Sequence, residues 1–254
     1  VAIKLAIFLG FYKIMLFRMS FDNYNLIYSL FIERRFTMIK KFLVFLMFSF
    51  IIFADSFKVL TPNESRTYTG KGIFTFAIGD SYKGDWLNGK RNGFGVYVWS
   101  NGNKYIGNWA NDKLSGKGTY IWNTGNIYQG NFSDDKKNGF GSLLWSNGDY
   151  YEGNFLNDNR TGKGTYIWST GDIYIGDFLN NIKHGKGILK WVNGDLYEGD
   201  WLNGMRTGQG TLHWNNGDIY IGSFKDDKLH GQGKFIGIYG ELWEGTWEND
   251  DFMD

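Results

Sequence analysis

The chain has 254 residues, a net charge of +1, 36 Gly, 19% aromatic residues, one Pro and no Cys. That length admits one or two ordinary domains, and glycine is roughly double its usual ~7% share. The missing cysteine excludes disulfides, thiolate metal sites, a cysteine nucleophile and cysteine-linked lipid.

In chain order, residues 1–54 hold seven Lys/Arg against two Asp/Glu, and residues 55–254 hold 20 against 24. Residues 1–37 begin at Val1 and contain a greasy stretch, Val1 to Phe17, broken by Lys4 and Lys13. Residues 38–54 read Met38-Ile39-Lys40-Lys41, an apolar core from Phe42 to Phe53, then Ala54. A short basic start, a core of this length and a small terminal residue predict a signal peptide cleaved after Ala54. A spanning helix needs about 20 apolar residues. Two such segments in series point to translation from Met38, with 1–37 upstream of the native start; the competing reading makes residues 1–17 a membrane anchor. Residues 55–69 are expected to form a linker or N-terminal cap.

From Tyr82 onward, Tyr82, Tyr105, Tyr128, Tyr151, Tyr174, Tyr197, Tyr220 and Trp243 recur every 23 residues. Each opens the phrase aromatic-x-Gly-x-Trp/Phe. A fixed period of this length means stacked supersecondary units. The copy at 105–127 runs Tyr105-Ile106-Gly107-Asn108-Trp109, a polar stretch 110–115, Gly116-Lys117-Gly118-Thr119-Tyr120-Ile121-Trp122, then Asn123-Thr124-Gly125-Asn126. Two period-2 aromatic runs between polar and glycine-rich stretches predict strand, loop, strand, turn. The Asn-Gly pairs Asn101-Gly102, Asn147-Gly148, Asn193-Gly194 and Asn216-Gly217 are expected to close the tight hairpins.

Alternation puts Tyr105, Gly107 and Trp109 on one face, and Gly116, Gly118, Tyr120 and Trp122 on one face of the next strand. Glycine inside a strand marks a close approach of rings or backbone, so each Gly is read as room for a ring. The ring face comprises Tyr82, Trp86, Trp99, Tyr105, Trp109, Trp122, Tyr128, Phe132, Trp145, Tyr151, Phe155, Trp168, Tyr174, Phe178, Trp191, Tyr197, Trp201, Trp214, Tyr220 and Phe224. One hairpin alone is marginal, so stability belongs to the array. About sixteen strands at ~4.8 Å predict a rod or trough roughly 75 Å long.

The phrase Tyr-x-Gly-x-Trp/Phe, then Gly-x-Gly-x-Tyr/Leu-x-Trp, then Asn-Gly or Thr-Gly, resembles the MORN repeat. The match gives a half repeat at 70–81, seven full repeats over 82–242 and a truncated one at 243–254, together an array over 70–254. Gly237 stands where earlier copies have Trp, as in an atypical terminal unit. The resemblance implies an all-β fold, an elongated single-layer antiparallel β-meander of hairpin repeats with a groove. It also implies scaffolding through protein binding, with phospholipid binding proposed for the family.

The residues offer little for catalysis. His184, His213 and His230 have no third repeating ligand for a metal. The Gly-Lys-Gly-Thr runs at 116–119 and 162–165 lack the full phosphate-loop motif and precede strands. Asp134-Asp135 and Asp226-Asp227 read as solvated loop charge. Lys90, Arg91, Lys113, Lys136, Lys137, Arg160, Lys183, Arg206 and Lys228 fall in one repeated loop and predict a basic ridge along one edge; Asp80, Asp149, Asp172, Asp195 and Asp218 predict an acidic ridge along the other. The ridges read either as edge charge that keeps a long sheet soluble or as a rail for a charged partner. Antiparallel pairing of two copies as a homodimer would satisfy both.

The expected function is a non-catalytic, exported (periplasmic, outer-envelope or secreted) scaffold that binds an unidentified protein or peptide, with no cofactor and no metal. If the signal-like segment is retained, the chain is membrane-anchored. A peripheral phospholipid-binding module and a glycan-binding surface are the rivals. The mildly acidic array lacks the basic footprint that nucleic acid requires.

Overall fold

The computed structural model of the chain describes residues 56–253. The segments 1–37 and 38–54, with the expected signal peptide and anchor, lie outside the described residues.

Alternating strand lengths set the pattern. Seven-residue strands are β3 (Ser81–Leu87), β5 (Lys104–Ala110), β7 (Ile127–Ser133), β9 (Tyr150–Leu156), β11 (Ile173–Leu179), β13 (Leu196–Leu202), β15 (Ile219–Lys225) and β17 (Leu242–Glu248). Nine-residue strands alternate with them: β4 (Lys90–Val98), β6 (Lys113–Ile121), β8 (Lys136–Leu144), β10 (Asn159–Ile167), β12 (Ile182–Lys190), β14 (Met205–His213) and β16 (Lys228–Ile236). The front is capped by β1 (Lys58–Val59), a 3-10 turn (Glu64–Arg66) and β2 (Gly70–Thr75); β18 (Asp251–Phe252) ends the sheet. Apart from a parallel β1–β2 pair, each strand runs antiparallel to the next in sequence, so the eighteen strands form one open meander.

The two kinds of connection exchange the roles expected of them. The stretch 110–115 is not a loop. Asn111-Asp112 alone joins β5 to β6, with φ of 48° and 70°, and Ala110 already pairs with Lys113. Two positive φ values make the type I′ turn that fits twisted hairpins, and Asn and Asp tolerate that region. Asp134-Asp135 and Asp226-Asp227 are the same turn in later copies. The Asn-Gly pairs sit instead in five-residue connections. Trp99 N–H donates to Asn103 O at 3.0 Å and Gly102 N–H to Trp99 O at 2.9 Å; only the glycine of the pair has positive φ, 88° at Gly102.

A bulge interrupts the long strands. In the β5–β6 ladder Gly107 faces Gly118, yet the next pair is Trp109 with Leu114. Residues 115–117 thus oppose Asn108 alone, and Gly116 takes φ of 63°. A Cβ on Gly116 would meet Asn108 Nδ2 at 3.3 Å. Gly116 therefore leaves the ring face, against simple alternation, because a bulge breaks the period-2 order of faces along its strand. Where Asp replaces Asn108, its carboxylate takes the amide freed by the bulge: Phe94 N–H donates to Asp85 Oδ2 at 2.9 Å, and Gln209 N–H to Asp200 Oδ2 at 2.9 Å.

The glycines that stay on the ring face do make room for rings. A Cβ on Gly107 or Gly118 would run into Tyr105, whose hydroxyl lies over both and donates to Asn108 O at 2.9 Å. Tyr82, Tyr105, Tyr128, Tyr151, Tyr174, Tyr197 and Tyr220 are fully buried in this way. Each meets two rings edge-to-face, one four residues on and one in the next repeat. Tyr105 lies 5.2 Å from Trp109 and 5.3 Å from Phe132; Tyr128 lies 5.0 Å from Phe132 and 5.2 Å from Phe155. The zipper continues through Phe178, Trp201 and Phe224 to Trp247. Each edge-to-face pair adds about 0.5–1.5 kcal/mol beyond its buried area, and half of those pairs cross a repeat boundary. Stability is thereby shared between neighbours.

Candidate binding groove

The ring face carries two parallel bands of rings. The buried zipper forms the floor, and Trp86, Trp109, Phe132, Phe155, Phe178, Trp201 and Phe224 are each at most 6% exposed. The second row, Trp99, Trp122, Trp145, Trp168, Trp191 and Trp214, stands at the first residue of each five-residue connection and is half-buried. Tyr97, Tyr120 and Tyr166 lean on this row; Tyr166, for example, is 4.5 Å from Trp168. These rings form the wall of a groove on the side of the five-residue turns.

The opposite wall, on the hairpin side, contains only part of the expected basic ridge. The nine basic residues occupy the first two positions of the long strands, not a loop, and the two positions face opposite ways. Lys90, Lys113, Lys136 and Lys228 are exposed on the far face. Arg91, Lys137, Arg160, Lys183 and Arg206 turn into the groove over the rings. The Arg91 guanidinium is 4.3 Å from the Trp109 centroid, that of Arg160 5.0 Å from Tyr166, and the Lys183 ammonium 3.8 Å from Trp201. Arg160 and Arg206 reach across to Trp145 and Trp191, each at 5.7 Å. The remaining two copies have Leu114 and Leu229 there, both buried.

Acids missed in the sequence reading answer these cations. Where it is Asp or Asn, the second residue of the I′ turn accepts the backbone amide of the long strand one repeat earlier: Arg91 N–H to Asp112 Oδ1 at 3.0 Å, Lys137 N–H to Asp158 Oδ1 at 3.0 Å, Leu229 N–H to Asp250 Oδ1 at 2.8 Å. Where the earlier residue is basic, the same carboxylate forms an ion pair, at 3.0 Å for Arg91–Asp112, 3.1 Å for Lys137–Asp158 and 3.2 Å for Arg206–Asp227. A constant 21-residue spacing between basic residue and Asx is the signal that finds them. Two repeats break the pattern. Arg160 meets Asn181, its Nη2 donating to Asn181 O at 2.9 Å. Lys183 faces Gly204, whose amide donates to Lys183 O at 2.9 Å and which offers no side chain. Burial lowers the Arg160 guanidinium pKa and pushes the Lys183 ammonium down to about 8; Asp227 opposes and Arg206 adds to the Lys183 shift.

The expected acidic ridge is absorbed into the turn edge. Asp80, Asp149, Asp172, Asp195 and Asp218 each accept the amide 20 residues on, as from Ser100 N–H at 2.8 Å and Ile238 N–H at 2.9 Å. The Tyr97 hydroxyl donates to Asp80 Oδ2 at 2.6 Å and, with the Ser100 amide, holds that carboxyl below its usual range. Asn103 and Asn126 do the same without charge. This row ties one turn to the next.

Toward the C-terminal end the groove widens into a pocket of about 600 Å³ between Trp191, Trp214, Phe235 and Trp247, with Arg206 and Asp250 on the hairpin wall. His184, His213 and His230 lie on separate strands, and no metal-binding group of three His, Cys, Asp or Glu side chains occurs among the described residues. No helix among the described residues is long and apolar enough to cross a membrane. The arrangement can stack on, cover and charge-pair an elongated ligand.

The MORN repeat family model matches eight consecutive segments: 68–81, 82–104, 105–127, 128–150, 151–173, 174–196, 197–219 and 220–237. No curated protein matches the chain. Among solved structures it is similar to the SAS-4 (dCPAP) TCP domain of Drosophila melanogaster, solved in complex with a proline-rich motif of Ana2. Identity is 11% over 61% of this chain and 85% of that one, with a TM-score of 0.37. The G-box domain of the microcephaly protein CPAP gives 10% identity over 70% and 100%, at 0.29. Virginiamycin B lyase from Staphylococcus aureus gives 12% over 72% and 71%, at 0.16.

Proposed function

The chain belongs to the MORN repeat family, a family of interaction scaffolds that are generally non-catalytic, and on that premise we propose that its groove binds a protein or peptide segment. One observation carries this reading. The floor is sealed by the Tyr zipper, whereas the Trp row stays half-buried and opens a pocket of about 600 Å³ beside Arg206. Apolar concavities with a few convergent polar groups are the usual form of binding sites. A sugar platform needs flat open rings; the zipper rings offer none, and the Trp row is flanked by other rings, as Trp99 is by Tyr97 at 4.6 Å and Tyr120 at 5.1 Å. A membrane surface would engage protruding cations, whereas those of the groove lie down on rings.

We place the scaffold outside the cytoplasm, on the strength of the signal-like residues 38–54. N-terminal sequencing of the mature protein is expected to begin at Asp55, and a retained Val1 overturns that localisation. The groove itself is tested by placing a photo-cross-linking amino acid at Trp191 and, on the opposite face, at the exposed Phe140 in the full chain in its source cells. Cross-links from position 191 but not 140 are expected. Equal labelling from both, or labelling from 140 alone, overturns groove binding.

A further inference from the structure

We propose that the stretch of groove between Arg160 and Lys183 captures an acidic peptide segment, whose carboxylates supply the two acids missing from the cation–acid ladder. The inference rests on the groove reading and adds to it the chemistry of the partner.

The ladder defines what is missing. Arg91, Lys137 and Arg206 each have a carboxylate within 3.2 Å, from Asp112, Asp158 and Asp227. At Arg160 that place is taken by Asn181, whose neutral Oδ1 and backbone O accept from the guanidinium. At Lys183 it is taken by Gly204. Among the described residues neither cation has an ion-pair partner within 4.0 Å, although both lie over aromatic rings. A cation withdrawn from water and left without an anion is costly, and the lowered pKa of Lys183 agrees with that cost. Two consecutive repeats share the defect, while the reverse defect, an acid without a groove cation, falls at Leu114–Asp135 and Leu229–Asp250. The groove is therefore positive in its middle and acidic toward both ends. An acidic ligand is drawn to one register instead of sliding along seven similar repeats.

Geometry favours a chain over a surface. Arg160 and Lys183 begin equivalent strands one repeat apart, two strand spacings of ~4.8 Å, or about 10 Å. A peptide in the polyproline II conformation advances ~3.1 Å per residue with three residues per turn, so acidic residues three apart share one side about 9 Å apart and reach both cations. The guanidinium is recessed beside Trp145 and Tyr166, where a narrow chain fits and a flat bilayer does not. Lys163 and Lys186 are already pinned at 2.9 Å to Asp177 and at 2.6 Å to Asp200.

The repeat also supplies the decisive variant. Asp stands at the second turn position at 112, 135, 158, 227 and 250 with φ of 66–79°, against 73° at Asn181 and 88° at Gly204. N181D/G204D therefore fills the ladder from within while keeping the turns. The test is selection of a phage-displayed random-peptide library on the full chain, and then fluorescence anisotropy of the enriched peptides. The expected peptides carry Asp or Glu about three residues apart and lose at least about tenfold in affinity to N181D/G204D and to Lys183→Met, the size of one charge-assisted contact. Lys113→Met, which alters an exposed lysine paired with Asp134, leaves their affinity unchanged. Should N181D/G204D misfold by circular dichroism, Lys183→Met carries the test alone. Enriched peptides without acids, or affinity indifferent to both variants, overturn the acidic partner and leave the groove reading standing. No enrichment at all overturns both. Vesicles of phosphatidylcholine with phosphatidylserine serve as the third arm, and capture of these in preference to acidic peptides overturns the proposal.

Discussion

Gly164 and Tyr151 test the idea that the recurring glycines of each repeat are seats for a ring. A Cβ built on Gly164 has as its three nearest atoms Tyr151 Cε2 at 2.6 Å, the hydroxyl at 2.6 Å and Cζ at 2.8 Å. Overpacking of that kind costs about 1–3 kcal/mol, so Gly164→Ala is expected to destabilise by roughly 2. Tyr151→Leu removes all three atoms. It also removes two edge-to-face pairs, with Phe155 and Phe178 at 5.2 Å, worth about 1 kcal/mol each. The hydroxyl's bond to Asn154 O, 3.0 Å long, adds about 1, for a total near 3. Independent effects would make the double variant about 5 kcal/mol less stable than wild type. If the glycine exists for the ring, Gly164→Ala costs nothing once Tyr151 is Leu, and restricting the unfolded chain stabilises by about 0.4–1 kcal/mol. The double variant then lies near 2–3 kcal/mol, a coupling of about 2–3 kcal/mol. Urea unfolding monitored by tryptophan fluorescence measures the four corners. Hydrogen exchange of residues 150–178 is needed beside it, because repeat arrays can unfold in parts. Additivity of the two substitutions to within about 0.5 kcal/mol refutes the reasoning.

Three further outcomes concern the edges of the groove. The folded pKa of Lys183 is about 8 against an ordinary 10.5, so between those values the unfolded chain holds the extra proton and stability rises with pH. Above about pH 9 the net trend reverses, since burial pushes Tyr151, Tyr166 and Tyr220 up to about 12, raises eight further tyrosines, and lets the unfolded chain ionise first. Thermal melts of Lys183→Met should lose the rise between pH 8 and about 9 and keep the fall above it. Gly204→Asp should stabilise by about 1 kcal/mol by giving Lys183 a carboxylate, with an unchanged or lower Tm at pH 7 as the contrary result. Asn126→Ala should cost about 1 kcal/mol, because Asn126 Oδ1 accepts the Ser146 amide at 2.8 Å, and Asn126→Asp should restore it.

Legibility in the sequence extended to whatever is local to one repeat. The Tyr-x-Gly-x-Trp phrase places Tyr105 and Gly107 on the same face of one strand, so the seat of the ring is visible as spacing. The turns were not, because Asn111-Asp112 looks like solvated polarity until both φ values are known to be positive. The bulge was also hidden: period-2 alternation carried Gly116 onto the ring face, and one extra pair of residues moved it off. That displacement explains the basic residues as well. Lys136 and Lys137 are neighbours in sequence, and only strand pairing reveals that they face opposite ways. The acids were the hardest to see, since Arg91 and Asp112 belong to different repeats and meet only when those repeats stack.

The division of labour inside the repeat is a consequence of its stacking. Tyr105, Gly107, Gly118 and their equivalents must match from copy to copy, because each ring fills a seat of its own repeat and touches a ring of the next; a change there propagates through the zipper. The second residue of a long strand and the second residue of the I′ turn one repeat later are under a weaker constraint. The turn needs only a residue that tolerates positive φ, which Asp158, Asn181 and Gly204 all satisfy, and the strand needs only something that covers a ring, which Leu114, Lys137 and Arg160 all do. Those two positions can vary without disturbing the stack, and together they set the charge along the groove. Variation at Asn181 and Gly204 leaves the backbone of the array intact and changes its electrostatic profile in two adjacent repeats. In a molecule whose floor is uniform by necessity, recognition of one partner in one register has to be written at such positions, and Arg160 and Lys183 are where this chain departs from its own pattern.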